Sequence, residues 1–235
     1  MRLRRLLPAG AALLLTPLAG ITLVHSQSVE HTPDPGRGAV IAAQRVGSGA
    51  PPCAQCHAFN GASDSSGAFP RIAGQSAYYL AKQLHDFSSG VRSYAFMSPI
   101  AKSLSTDDDD IADVAAYYAG LDAPLLPLKS AAPEVTKRGE ELATIGSAER
   151  QVQSCNNCHG PGGIGESPAI PYLAGQYAPY IAFELKMWQR GFRKNSADSM
   201  GVIAKKLDDQ EIAAVAAYYQ QVRSSLEAPM PQVNN

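Results

Sequence analysis

The sequence lacks net charge, convincing strand patterns and any motif for a flavin or quinone cofactor. A formal net charge of −1 makes nucleic acid an unexpected partner. Without strands there is no βαβ context for a thioredoxin-like redox pair. Cysteine is scarce too, with four among 235 residues. Hydrophobic residues make up 45% of the chain, as is ordinary for a globular protein of one large domain or two of about a hundred residues.

The first residues form a segment of a different kind. Residues 1–5 are basic, residues 6–24 carry no charge, and polar residues begin at His25. This layout predicts a signal peptide over residues 1–26. The alternative is an uncleaved membrane anchor through residues 6–24, because its 19 residues lie within the spanning range of about 17–25. Both interpretations place the remaining chain outside the cytoplasm.

All four cysteines belong to one pattern, Cys-x-x-Cys-His, which occurs at 53–57 and again at 155–159. This is the attachment pattern of c-type haem, in which two thiols bond to the porphyrin and the adjacent His ligates the iron. Two disulfides, a redox pair and a zinc site are the alternatives, but a four-cysteine zinc site needs pairs about 15–20 residues apart. The predicted attachment residues are Cys53, Cys56, Cys155 and Cys158, and the predicted iron ligands are His57 and His159.

The surroundings of the two patterns repeat as well, about 101 to 103 residues apart. Pro70–Gln75 precedes a helical pattern over 76–89 and a closing helix over 107–119, and the same order follows Pro171. The repeat predicts a duplicated, all-helical domain with one haem c in each copy. Each copy alone has little apolar surface to bury, so we expect chain without haem to be poorly folded. The expected boundaries are domain 1 at 27–122, a linker at 123–135, domain 2 at 136–225 and a tail at 226–235.

The second axial ligand separates a carrier from an enzyme, because an open iron binds substrate and a closed one favours electron transfer. Met97 and Met200 recur in the two copies, each in a predicted loop before a shared Ile-Ala-Lys-x-Leu pattern. A single Met is more often core filler, which is our interpretation of Met187. We predict Met97 and Met200 as axial ligands. Two saturated haems leave no site for a small-molecule substrate, so we expect an electron carrier and not an enzyme.

Each ligating His also needs a partner for its other ring nitrogen, usually a carboxylate or a backbone carbonyl. Pro70 follows His57 by 13 residues and Pro171 follows His159 by 12. Their carbonyl groups are the predicted partners. The alternative is a turn that starts the next helix, and one proline can do both.

Two charged stretches allow more than one interpretation. Asp107–Asp110 lacks the spacing of a calcium loop and predicts the start of a helix, with Thr106 as N-cap. In the second copy a set of basic residues flanks Met200. This set either rims one haem edge and steers an acidic redox partner or forms an ordinary solvated face. Its members are Lys186, Arg190, Arg193, Lys194, Lys205 and Lys206.

Together these motifs resemble the dihaem cytochromes c4, a family of class I cytochromes c, from about Gly36 to Val222. The resemblance implies two tandem class I domains related by a pseudo-twofold axis, with the haem propionates near each other. It also implies that Gly38 and Gly139 are the points where helices approach most closely. One departure is Ala58, since a Gly commonly follows the ligating His in this family, as Gly160 does in the second copy.

The same resemblance implies a function. Such proteins are periplasmic, soluble or attached to the outer face of the inner membrane. The expected acceptor is a terminal haem-copper oxidase, and the expected donor is a quinol-oxidising complex or a small periplasmic carrier. The alternative is a dedicated dihaem subunit of a dehydrogenase that oxidises sulfide or an alcohol. A dihaem enzyme, such as a peroxidase or a thiosulfate dehydrogenase, would need an open or thiolate-ligated iron, and no fifth cysteine exists.

Overall fold

A computed structural model describes residues 31–44, 50–64, 66–104, 107–126 and 128–222. The predicted export segment at 1–26 and the predicted tail at 226–235 lie outside the described residues. No helix within the described ranges is long and apolar enough to cross a membrane.

The described chain is helical, as predicted, and the helices fall into two sets in the same order. The first set is α1 (Pro35–Ala43), α2 (Ala54–His57), α3 (Ala77–Ser89), α4 (Met97–Leu104) and α5 (Asp108–Ala119). The second set is α6 (Pro133–Thr144), α7 (Asn156–His159), α8 (Ala178–Gln189), α9 (Met200–Lys206) and α10 (Asp209–Gln221), with a 3₁₀ turn at Pro161–Gly163.

One antiparallel pair of two-residue strands interrupts this order and leaves the all-helical class unchanged. β1 (Gly146–Ser147) pairs with β2 (Val152–Gln153), with Gly146 opposite Gln153. Strands of two residues carry no alternating pattern that a sequence could reveal.

Short polar side chains cap four of the described helices, α1, α3, α5 and α10. Ser76 accepts a hydrogen bond from the Tyr79 amide at the start of α3. At α10, Asp208 and Glu211 form a reciprocal capping box. The acidic run at 107–110 also starts a helix, as predicted, but the predicted cap was wrong. Asp107, whose carboxylate accepts from the Asp109 amide, is the N-cap of α5, and Thr106 lies outside the described residues.

The first and last helices of each set cross at a glycine. A Cβ on Gly38 would lie 2.1 Å from the Asp113 carbonyl oxygen in α5, and a Cβ on Gly139 would lie 2.0 Å from the Ala214 carbonyl oxygen in α10. No side chain fits at such distances. The expectation that these two glycines mark the closest approach of the helices is therefore confirmed.

Ion pairs join the same helices beside the crossings. Arg37 in α1 contacts Asp110 and, at 2.6 Å, the fully buried Asp113. In the second set Arg138 in α6 contacts Glu211 in α10 at 2.8 Å. Arg138 and Glu211 lie 101 positions after Arg37 and Asp110. The ion pair between the first and last helices is therefore repeated in the two sets.

The two sets meet along an antiparallel backbone bridge between Arg92 and Arg193. The Ser93 amide donates to the Phe192 carbonyl at 2.8 Å, and the Lys194 amide donates to the Val91 carbonyl at 2.8 Å. Because these segments hold corresponding positions in the two copies, the contact is reciprocal, as an approximate twofold relation requires.

Candidate functional site

A single, largely apolar cavity of about 480 Å³ extends through both sets of helices. Every site residue that the sequence predicted lines it. These residues are Cys53, Cys56, His57, Pro70 and Met97 from the first set, and Cys155, Cys158, His159, Pro171 and Met200 from the second.

The cysteines and histidines are presented by the one-turn helices α2 and α7. The His57 amide donates to the Cys53 carbonyl at 2.9 Å, and the His159 amide donates to the Cys155 carbonyl at 3.0 Å. One helical turn therefore brings each Cys-x-x-Cys-His string to the same cavity wall. Burial raises the pKa of the Cys53 and Cys155 thiols to about 11.

Each histidine ring is buried and held by a proline carbonyl. Nδ1 of His57 lies 3.2 Å from the Pro70 carbonyl oxygen, and Nδ1 of His159 lies 2.9 Å from that of Pro171. A carbonyl oxygen can only accept, so Nδ1 carries the hydrogen and Nε2 keeps its lone pair. Burial lowers the pKa of both histidines, which favours this neutral form. Each imidazole is therefore in the state that a metal ion requires.

The two methionines occupy equivalent positions, but in helices and not in loops as predicted. Met97 is the first residue of α4 and Met200 is the first residue of α9. Pro99 contributed to the prediction of a loop. It is nevertheless compatible with the first turn of a helix, where the amide that proline lacks would have no partner. Both thioethers belong to the cavity wall.

Tyrosines of the closing helices fix the chain around the Cys-x-x-Cys-His strings. Tyr117 in α5 donates to the Phe59 carbonyl at 2.7 Å, directly beyond His57. Tyr219 in α10 donates to the Asn156 side-chain oxygen at 2.9 Å, inside the second string. The sequence shows the Ala-Ala-Tyr-Tyr repeat, but the partners of its hydroxyl groups are visible only in the structure.

The glutamine that ends each Pro-x-x-Ala-Gly-Gln stretch binds the other copy. The Gln176 side chain donates to the Arg71 carbonyl at 2.8 Å and accepts from the Arg71 amide at 3.0 Å. Reciprocally, Gln75 accepts from the Tyr172 amide at 3.3 Å and donates to its carbonyl at 3.4 Å. Sequence reasoning missed this role, because a residue's partner in the other copy lies about a hundred positions away.

A buried ionic cluster lies deeper between the two sets. Glu184 in α8 pairs with Arg92 and, at 2.6 Å, with Arg193. Arg193 therefore does not belong to a solvent-exposed basic rim, and that part of the interpretation of the basic set was wrong. Gln83 holds the position that corresponds to Glu184 and accepts from Arg92 at 3.0 Å. The corresponding positions thus differ by one charge.

The side chains around the cavity fit one haem c in each copy. Two thiols, a neutral imidazole and a thioether occur twice, and the rest of the wall is mainly apolar. One further observation fits the anionic groups of a haem. The Nε atom of buried Arg71 has no hydrogen-bond partner among the described residues, and Arg71 lines the cavity. A haem carries two propionates, which such an atom could bind.

Comparisons with known proteins agree with this geometry. The sequence family described as cytochrome c oxidase, cbb3-type, subunit III matches residues 145–218. The "Thiosulfate dehydrogenase electron acceptor" of Stutzerimonas stutzeri (strain A1501) is 41% identical over 171 residues, which cover 72% of this chain and 78% of the relative. "Cytochrome c4" of Pseudomonas aeruginosa is 37% identical, with 72% and 82% covered.

A solved structure of similar fold is the thiosulfate dehydrogenase TsdBA from Marichromatium purpuratum, with a TM-score of 0.71 and 37% sequence identity. The match covers 80% of this chain and 40% of that one. The present chain thus corresponds to less than half the length of that protein.

Proposed function

Because this chain belongs to the dihaem cytochrome c4 family, we propose that it carries single electrons from a thiosulfate-oxidising dehydrogenase to a terminal haem-copper oxidase. The chain is a dihaem electron-transfer cytochrome of the class I fold. The proposed donor follows from the S. stutzeri relative, whose name describes an electron acceptor of thiosulfate dehydrogenase. The oxidase is the acceptor that the resemblance to this family implies. A quinol-oxidising complex or a small periplasmic carrier is the alternative donor.

The proposal gives each predicted site residue one role. Haem c with one His and one Met ligand supplies one-electron exchange between ferric and ferrous iron. The thiols of Cys53 and Cys56 would hold one group and those of Cys155 and Cys158 the other, with His57 and Met97, and His159 and Met200, as the axial ligand pairs. The apolar wall excludes water, and each proline carbonyl, Pro70 or Pro171, orients the imidazole of its own copy.

One observation supports a carrier over an enzyme most directly. A complete set of two thiols, an imidazole and a thioether faces the cavity in each copy, so both axial positions have a protein ligand at hand. An iron with two protein ligands has no position for peroxide or for a sulfur substrate.

The ligand role of the methionines can be tested with carbon monoxide. The wild-type ferrous protein should not bind it, whereas Met97→Ala and Met200→Ala should each open one haem and bind about one equivalent. Met187→Leu is the control, because Met187 is buried in α8 but does not line the cavity. Carbon monoxide binding by the wild type would favour a dihaem enzyme.

The donor is tested by stopped-flow reduction. Purified thiosulfate dehydrogenase with thiosulfate should reduce the protein much faster than thiosulfate alone, and membranes that contain a haem-copper oxidase should then reoxidise it. Reduction by a quinol-oxidising complex but not by the dehydrogenase would contradict the proposed donor. We further propose a periplasmic location, attached or not through residues 6–24, which cell fractionation would test.

A further inference from the structure

A groove between the two sets of helices carries aromatic side chains that the proposed function has not used. It encloses about 490 Å³ and is lined by Tyr94, Phe183, Met187 and Phe192, among others. Phe192 is 53% exposed, and the neighbouring Phe96 is 66% exposed. The Tyr94 ring packs edge-on against Phe96 and Phe183, with centroids 5.6 and 5.2 Å away. We call these five residues the aromatic groove.

The aromatic groove adjoins the haem cavity at its Met97 end. Tyr94 and Phe183 line both spaces, and Phe96 lines the haem cavity while most of its surface faces solvent. Ser98 and Lys102 in the groove wall belong to α4, the helix that Met97 begins. A molecule seated in the groove would therefore stand against the element that holds the predicted ligand of the first haem.

Three of the five positions have polar counterparts 101 residues away in the repeat, whereas Phe96 and Phe192 correspond to Ala197 and to the exposed Val91. Phe183 and Met187 correspond to Lys82 and Asp86, which form an ion pair at 2.5 Å.

Tyr94 corresponds to Asn195, which donates to Asp86 at 2.7 Å. The backbone bridge and the glutamine contacts that join the two sets are reciprocal. The larger aromatic surface on one of the two sides is therefore not needed to hold the sets together, and exposed apolar patches of this kind mark interaction sites.

The charges near the groove indicate the chemistry of its occupant. Of the ten residues that line it only Lys102 is charged. Arg190 and Lys194, both exposed, flank Phe192 in the sequence. A groove with Lys102 in its wall and two exposed basic residues within two positions of Phe192 complements a protein surface whose apolar patch is bordered by carboxylates.

We propose that the aromatic groove is the docking surface for the protein electron donor, through an apolar patch with an acidic rim. This inference rests on the proposed function and adds to it the face at which the donor binds. Electrons would then enter near Met97 in the first copy. The donor would not bind at the corresponding surface that carries Lys82, Asp86 and Asn195.

The test compares the second-order rate of reduction by thiosulfate dehydrogenase in wild type and two variants. Phe96→Ser with Phe192→Ser should lower the rate about 10-fold or more, because aromatic anchors dominate protein interfaces. Arg190→Glu with Lys194→Glu should lower the rate and weaken its dependence on salt. The matched control is Ile145→Ser, since Ile145 is 79% exposed and lies outside the groove. Reduction by ascorbate should be unchanged in the Arg190→Glu/Lys194→Glu and Ile145→Ser variants and in Phe192→Ser alone, because none of these residues lines the haem cavity.

The outcomes separate this inference from the proposed function. A reducible wild type whose Phe96/Phe192 variant reacts equally fast would overturn the docking surface and leave the donor in place. A wild type that the dehydrogenase does not reduce would overturn both. Loss of self-association in sedimentation, or of binding to anionic phospholipid vesicles, without a change in the reduction rate would assign the groove to a second copy or to a membrane and overturn the inference.

Discussion

At the scale of single residues, the two copies differ directly after the histidines that are predicted to ligate iron. Ala58 and Gly160 both have positive φ, 56° and 74°, with ψ of 161° and 164°. Only glycine adopts this conformation readily, and another residue costs about 1–3 kcal/mol there. The alanine that departs from the family pattern is therefore strained beside His57, while Gly160 is not.

A reciprocal exchange should reveal this strain. We expect Ala58→Gly to raise the free energy of unfolding by about 1 kcal/mol and Gly160→Ala to lower it by about 1–3 kcal/mol. A Cβ at Gly160 would also lie 3.1 Å from the Gly165 carbonyl oxygen. Guanidinium unfolding of the haem-loaded protein measures both changes. An Ala58→Gly protein less stable than the wild type would contradict the assignment of strain.

A second difference between the copies is Glu184, whose counterpart in the first copy is the uncharged Gln83. Glu184 is 7% exposed and accepts from two arginines that come from different sets of helices. Burial alone would raise the pKa of its carboxyl, but Arg92 and Arg193 outweigh burial and lower that pKa below its ordinary value. Its charge therefore stabilises the contact between the sets.

The pH dependence of stability follows from this sign. A carboxyl whose pKa is lower in the folded state stabilises the fold above its unfolded value of about 4.3, and this contribution is lost as the pH falls through the lower, folded value. Glu184→Gln should cost about 3–5 kcal/mol at pH 7, because two buried guanidinium groups lose their counterion. It should also flatten the acid limb of a plot of melting temperature against pH.

The control for Glu184 is Glu141→Gln. Glu141 belongs to an exposed pair with Arg138, for which a change of less than about 1 kcal/mol is expected. An equal loss of unfolding free energy in both variants would show that burial of the Glu184 cluster adds nothing to its contribution to stability.

At the scale of elements, the crossing of α6 and α10 depends on the absence of a side chain at Gly139. Gly139→Ala places its Cβ 2.0 Å from the Ala214 carbonyl oxygen, so the helices must separate. Overpacking of this kind costs about 1–3 kcal/mol. Gly120→Ala is the matched control, because its φ is −80° and its nearest contact is at 3.5 Å. An equal fall in the melting temperature of both variants would contradict the close-approach role of Gly139.

At the scale of the whole molecule, one cavity joins both sets of helices, so the fold surrounds a space that the prosthetic groups must fill. Two apolar clusters, one around Leu104 and Ile111 and one around Leu142 and Ile212, lie in the two sets. An unfilled cavity lowers the free energy of unfolding, by about 24 cal/mol per Å³ of cavity in one well-studied protein. Stability should therefore depend on haem.

Removal of the attachment cysteines tests this dependence. Cys53→Ser with Cys56→Ser should prevent covalent attachment in the first copy and lower the melting temperature measured by circular dichroism. Because both copies share the cavity and the Glu184 cluster, the second copy should lose stability as well. Well-ordered and equally stable protein without haem in the first copy would contradict the account.

The sequence alone determined the helical class and the repeat, and it predicted the chemistry of each site. A Cys-x-x-Cys-His string, a later proline and a later methionine are local signals, and their recurrence 101 to 103 positions later predicted the members of each set. The boundaries were less accurate, as the start of α4 at Met97 and the cap at Asp107 show. These details depend on backbone dihedral angles that several residue types can adopt.

Only the tertiary structure decided what lies between the copies. It paired Gln75 and Gln176 with backbone groups of the opposite copy, buried Arg193 against Glu184, and formed an aromatic groove between the two sets. Such contacts join residues about a hundred positions apart, and an arginine has the same sequence signature whether it faces solvent or a buried carboxylate. Burial and partner choice result from packing of the complete chain, whereas the ligand types are properties of the residues themselves.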